Sequence, residues 1–381
     1  MTVSTTDPKW VSDTYNPVEK LFLRLLKDER DMIFIRTSAR IVFFLLPLAA
    51  LLFASPPRLV AVLTVPYILI LFLQFAGRYG LMLHAVGHRP IFRREYRFLE
   101  HVIPWGLGPF LGHTPTAFDA HHVFMHHAEN NMLADASCTL AYKRDEFRQF
   151  LHYWARFFFT GYLHLPRYLY LRGRYKVMIR LFIGETAWLC IALAAAWVNW
   201  AAAIAVFVIP LLMMRWFLMA GNFAQHAFVD VDNPDDAFGN SNCLTNTIYN
   251  HKAYNDGYHI VHHMRAGMHW SEMAAWYENN VDVFADKDAV VFDGLRDNQH
   301  VWLLLMTKNY DELANHLVDF KGRSHEEKIA FMKGRLQRTI GAVPGFLRIE
   351  SREDMKRTKR RKRLPAPEIG EAASVGAQDV A

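Results

Sequence analysis

"IVFFLLPLAALLFA", residues 41–54, and "LVAVLTVPYILILFLQFA", residues 59–76, hold no charged residue and are separated only by Ser-Pro-Pro-Arg. Each reaches the roughly 20 residues that a bilayer-crossing helix needs once flanking residues are added. So short a break sends the second run straight back along the first, and in lipid only helices or closed barrels keep the backbone hydrogen-bonded. The pair reads as a transmembrane hairpin. A second pair follows at residues 181–198 and 201–219, interrupted by Asn199-Trp200, with Glu185 and Arg215 its only charged residues. Runs this long, this poor in charge and matched in pairs are rare in soluble cores. The expected fold is an all-α membrane protein with four transmembrane helices in two hairpins.

Orientation follows from the basic residues beside these runs. Arg24, Lys27, Arg30, Arg36 and Arg40 precede the first, Arg78, Arg89, Arg93, Arg94 and Arg97 follow the second, and the connecting turns hold only Arg58. By the positive-inside rule the N-terminus, residues 78–180 and the C-terminal part are cytosolic. Residues 1–40 are expected to form a cytosolic N-terminal segment, 41–350 a membrane domain with a helical cytosolic cap, and 351–381 a tail. Between the pairs, Phe147, Phe150, Leu151, Trp154, Phe158 and Tyr162 recur at helical spacing, as in a helix lying in the membrane interface or packed on the cap.

The composition agrees, with 52% hydrophobic and only 21% charged residues. The formal charge of +6 is a property of the tail, because residues 356–363 hold seven Lys/Arg and outweigh it. That run suits solvent or anionic headgroups; without a basic, aromatic-interleaved face it does not suggest nucleic acid. From Glu368 onward the chain is small, polar and expected to be disordered. Cys138, Cys190 and Cys243 form no CxxC pair, so neither a disulfide framework nor a thiolate zinc site is supported. The first residues lack the basic start and apolar core of a cleavable signal, so insertion is expected from the internal runs.

Nineteen histidines are unevenly spread. His84 and His88, after the second run, lie one helical turn apart and can meet one ion; without the Glu of HExxH a zinc protease is excluded. "HHVFMHH" offers His122, His126 and His127, with His121 a competitor of His122 that points another way. Here His122 and His126 share a helical face and His127 turns toward a second ion. His259, His262 and His263 follow as HxxHH, and Asn222 and His226 leave the fourth run one turn apart. Nine histidines are too many for one ion with open positions, since a single catalytic zinc takes about three protein ligands. Two ions fit. Imidazole does not by itself name the metal. Asp119, Glu129 and Asp256 stand beside the boxes and are candidates for orienting the rings.

Box order, hairpin order and cytosolic placement from Leu71 to Trp270 resemble the integral-membrane fatty acid desaturase and hydroxylase superfamily, whose motif runs HxxxH or HxxxxH, then HxxHH or HxxxHH, then HxxHH after a second membrane pair; the second box here is the wider HxxxHH form. The resemblance implies two iron ions held by His84, His88, His122, His126, His127, His226, His259, His262 and His263, with Asn222 holding metal through water. It implies O2 as co-substrate, a lipid or fatty acyl substrate, and removal of hydrogen from an unactivated carbon, most simply desaturation. Hydroxylation, or decarboxylation of a free fatty acid to a terminal alkene, would use the same ligands. The heme-binding HPGG stretch is absent, so electrons are expected from a separate ferredoxin, rubredoxin or cytochrome b5-type protein. A non-enzymatic metal transporter would place its histidines within the spans rather than beside them. The run "HVIPWGLGPFLG", residues 101–112, either lines an acyl tunnel or simply connects. Residues 271–343 are expected to form the helical cap, with Trp276, Trp302 and Phe331 in its core.

Overall fold

The computed structural model describes residues 4–348; the basic tail and the polar segment after it lie outside the described residues. The chain is mostly helical, at 67%. Among the described residues, three helical stretches are long and apolar enough to cross a membrane: α1, Glu29–Ala54; α2, Pro57–His88; and, later in the chain, Tyr175–Gln225.

The turn between α1 and α2 follows from its prolines. Ser55 and Pro56 take extended conformations, and Pro57 opens α2 at a position where a missing N–H costs nothing. The third stretch holds both later apolar runs in one helical segment of 51 residues. A straight helix of that length would be about 76 Å long, more than twice a bilayer core of about 30 Å. It is not straight. Asn199 leaves the helical region at φ −155°, ψ 100°. Its Oδ1 accepts from Ala202 N at 3.2 Å, capping the restarted helix, while its Nδ2 donates to Ser55 O at 2.8 Å. The two reversals are thus tied to each other.

Both halves of this stretch then meet one segment. A Cβ on Gly184 would stand 2.4 Å from Thr116 Oγ1, and one on Gly112 would stand 2.3 Å from Pro210 O. The chain therefore doubles back at Asn199, and the four expected runs occupy three helical stretches. Ile41, Leu45, Leu71, Tyr79 and Val206 pack in the core between them. Phe43, Leu73 and Trp197 point outward, more than 70% exposed, an arrangement that water penalises and lipid does not.

Helix α3, Phe147–Leu171, is preceded by the short second-box helices and followed by the third stretch, α4, Tyr175–Gln225. Phe150 and Tyr153 are buried against Trp216 and Phe223 of α4, whereas Phe159, Tyr162 and Leu163 stay exposed. The helix is packed on the protein by one face and apolar on the other.

The expectation of an all-α chain needs one correction. β1, Asn242–Thr245, pairs in parallel with β2, Val290–Asp293, in the register Asn242↔Val290 to Thr245↔Asp293. Four-residue strands, buried except at Asp293, show no alternation that a sequence can display. Trp302 and Phe331 pack against the cluster containing Val290 and Leu305, and Trp276 against that containing Val291 and Phe284. The N-terminal segment is stapled to this region: buried Asp7 accepts from Asn246 N at 2.8 Å, Thr247 N at 3.1 Å and Tyr258 Oη at 2.6 Å.

Gly112 carries φ +77° besides its close approach to Pro210, so Gly112→Ala should cost upwards of about 2 kcal/mol and lower the melting temperature in detergent by several degrees. Gly77→Ala, on α2 with nothing within 4 Å, should be neutral or slightly stabilising in the same melt.

Candidate metal centre

Four elements converge below the two hairpins. The last turns of α2 carry His84 and His88 on one face, and His226 follows the end of α4 directly. Helix α5, His259–Met264, carries His259, His262 and His263. The second box lies on three consecutive short helices, Ala117–His121, His122–His126 and His127–Glu129, the middle one a π turn. Asn130 and Asn131 end it in the left-handed region, at φ 52° and 59°, which Asn tolerates better than most residues.

Two groups of imidazole nitrogens result. His84, His88, His122, His127 and His262 form one; His126, His226, His259 and His263 form the other, with ligand atoms in each group within 4.8 Å of one another. All nine histidines singled out from the sequence are present, but their distribution corrects the expected pairing. His122 groups with His127, not with His126. The π turn explains this: its wider, i→i+5 bonded turn, closed by His127 N to His122 O, brings the residue five positions on to the same side. The third box divides as well, His262 joining the first group while His259 and His263 join the second.

Within the groups, Nε2 atoms face Nε2 atoms. The separations are 2.8 Å for His84–His262, 2.7 Å for His127–His262 and 3.0 Å for His122–His127. In the second group they are 3.2 Å for His126–His226 and 3.1 Å for both His226–His259 and His259–His263. Two nitrogens sharing an ion at about 2.1 Å stand about 3 Å apart at a right angle, so these spacings suit metal coordination. His88 Nε2 is buried with no hydrogen-bond partner, as a ligand atom would be. Burial and neighbouring imidazoles push His122, His127, His259, His262 and His263 well below the ordinary range, and burial pushes His226 down to about 3. Neutral imidazole is the form that binds metal.

The outward nitrogens fix the tautomers. His84 Nδ1 donates to Asp256 Oδ1 at 2.8 Å, while Asp256 Oδ2 accepts from Gln225 at 3.0 Å and Tyr249 at 2.5 Å. His126 Nδ1 donates to Asp135 Oδ2 at 2.6 Å, and Ser137 Oγ holds the other oxygen at 2.7 Å. His226 Nδ1 donates to Asn240 O at 2.7 Å and His263 Nδ1 to Asn130 Oδ1 at 3.1 Å. A neutral ring held in this way keeps its lone pair at the inward Nε2.

Of the three acids beside the boxes, only Asp256 bonds a histidine. Glu129 accepts from Tyr168 and Arg172, each at 2.6 Å, and so braces the box against α3. Asp119 Oδ1 lies beside Gly87, buried and without a hydrogen-bond partner. Asp135 was missed; its one sequence signal is the Asp-x-Ser turn pattern, in which Ser137 N donates to Asp135 Oδ1 at 2.8 Å. His121 lies outside both groups, with Nε2 3.0 Å from Ser137 Oγ. Asn222 Nδ2 donates to Tyr153 Oη at 2.8 Å, and its side chain lines the void beside His122 and His259.

That void, about 110 Å³, shares Phe118, His121, Phe157, Arg215 and Leu218 with a larger cavity of about 230 Å³ walled by Leu165, Leu181, Phe182 and Leu211. Of residues 101–112 only Gly112 reaches the larger cavity. The geometry offers two metal positions at the end of an apolar space.

A family model described as fatty acid desaturase matches residues 56–294. No curated protein and no solved structure matches the chain. Asp135→Asn and Asp256→Asn should each weaken metal retention about 10- to 100-fold, as second-layer carboxylates do elsewhere. Metal content after dialysis against a chelator measures this; unchanged helicity with undiminished retention would show that the carboxylates do not orient the rings.

Proposed function

The chain belongs to the fatty acid desaturase family, and from that premise we propose that it is a membrane-bound, O2-dependent oxidoreductase that introduces a double bond into a fatty acyl chain. The observation carrying this reading is the meeting of two groups of histidines at the end of a largely apolar cavity. His84, His88, His122, His127 and His262 would hold one iron ion, and His126, His226, His259 and His263 the other, with Asn222 reaching metal through water. Bound iron would supply the redox chemistry needed to take hydrogen from an sp³ carbon, which no side-chain acid or base can do.

The chain's own residues prepare the place for it. Asp256, Asp135, Asn240 and Asn130 retain the protons at Nδ1 and so direct Nε2 inward. Phe118, Phe157 and Leu218 line the passage to the cavity and keep water from the acyl chain. In this reading α1 and α2 form one transmembrane hairpin and the halves of α4 form the other. The basic residues around them put both termini and the histidines in the cytosol. There the site can receive electrons from a separate ferredoxin, rubredoxin or cytochrome b5-type protein.

The purified protein should carry about two iron ions per chain, because nine imidazoles exceed what one ion uses. Coexpressed with a redox partner, it should add a double bond to cellular acyl chains, read by mass spectrometry of lipids and headspace. Hydroxy acids or terminal alkenes instead would replace desaturation by another outcome at the same ligands. His262→Ala should lose iron from the first group and abolish oxidation; full activity in that variant, or tightly held zinc supporting turnover, contradicts the proposal.

A further inference from the structure

Arg215 is a charged residue in the apolar second half of α4, seven positions before Asn222, and it lines both the void beside the histidines and the larger cavity. Its guanidinium lies over the Tyr162 ring at 4.7 Å and faces Phe158 at 5.7 Å. Among the described residues it makes no ion pair. The acid that shares its cavity, Glu185, accepts instead from Thr114 Oγ1 at 2.6 Å. A charge set in apolar walls is costly unless something arrives to compensate it, and within a membrane segment such a charge marks a functional path.

A second group points the same way. His113, 6% exposed, lines this cavity, and its Nε2 is buried without a hydrogen-bond partner. Burial and the charge of Arg215 push His113 down to about 3. At neutral pH the ring is uncharged, and in the tautomer protonated at Nε2 it offers one donor.

We propose that Arg215 and His113 form a carboxylate-binding site, and that the substrate taken into this cavity is a free fatty acid rather than a thioester or ester. The inference rests on the acyl-chain reading above. One fixed cation and one neutral donor match the single charge and two oxygens of a carboxylate, which a guanidinium binds through paired N–H bonds. An ester or amide brings no charge to Arg215. A cavity of about 230 Å³ walled by Leu165, Leu181, Phe182 and Leu211 suits part of an aliphatic chain.

The test uses the full chain in nanodiscs, with a fluorescent conjugated-tetraene fatty acid as the probe. It is displaced by a saturated fatty acid, its methyl ester and the matched alcohol, compared at equal membrane concentration. For the wild type the acid should compete at least about tenfold better than ester or alcohol, since a charge-assisted pair is lost with either. Arg215→Gln should bring acid and ester close to parity, Arg215→Lys should keep part of the preference, and His113→Phe should reduce it. Glu185→Gln should leave the preference intact or raise it. Wild-type protein that binds ester as well as acid, or an Arg215→Gln variant that keeps the preference, overturns the proposal, and the first result needs no variant to fold. Turnover separates the two readings. Oxidation of esters but not acids sinks the carboxylate site and spares the acyl oxidation; a firm acid preference with no oxidised product, given iron, O2 and a reductant, does the reverse.

Discussion

Eight imidazoles set their Nε2 atoms 2.7–3.2 Å from one another, with His88 Nε2 buried beside them, and much of the fold serves that convergence. Lone pairs facing each other in a buried space repel unless a cation or a shared proton sits between them. Four of these rings are held from behind. Asp256 and Asp135 hold theirs with charge, and Asn240 and Asn130 with neutral oxygens. These holders are in turn held: Asp256 by Gln225 and Tyr249, Asp135 by Ser137. Such layering costs little while every buried polar atom has a partner and a great deal once one is removed.

The hairpins supply the rigid frame. Asn199 joins the two reversals at one end through Ser55, and Gly112 and Gly184 let the segment leading into the second box press against both halves of α4. From that segment the chain passes directly to Ala117–His121. Backbone contacts that only glycine permits therefore set the height at which His122, His126 and His127 meet the end of α2. At the other side Asp7 fixes Tyr258, the residue before His259, so the N-terminal segment steadies the third box.

The sequence made legible whatever depends on a long run or on residue type. Uncharged stretches announced the apolar helices, and all nine clustered histidines lie in the two groups. What it hid depends on tertiary position. Glu129 is next to the second box in the chain, yet its carboxylate faces Tyr168 and Arg172, because the left-handed turn at Asn130 begins immediately after it. Asp135 stands nine residues beyond His126 and returns to it only through the turns that follow. The partition of the histidines was hidden as well, since an ideal α-helix puts His122 with His126. β1 and β2 are too short to carry a period, and they pair residues 48 positions apart, as Asn242 with Val290.

The π turn at His122–His126 gives this site an unusual kind of fragility. In an α-helix a changed side chain is felt at one position, and its neighbours keep their directions. Here the sorting of His122, His126 and His127 into two groups depends on how many residues lie in the turn. Were the turn to close as an α turn at its present length, His127 would rotate by about 100° away from the side it shares with His122. The sorting of this box is thus held by the hydrogen bonding of one backbone turn, so a substitution that touches no histidine can still exchange the group to which His127 belongs.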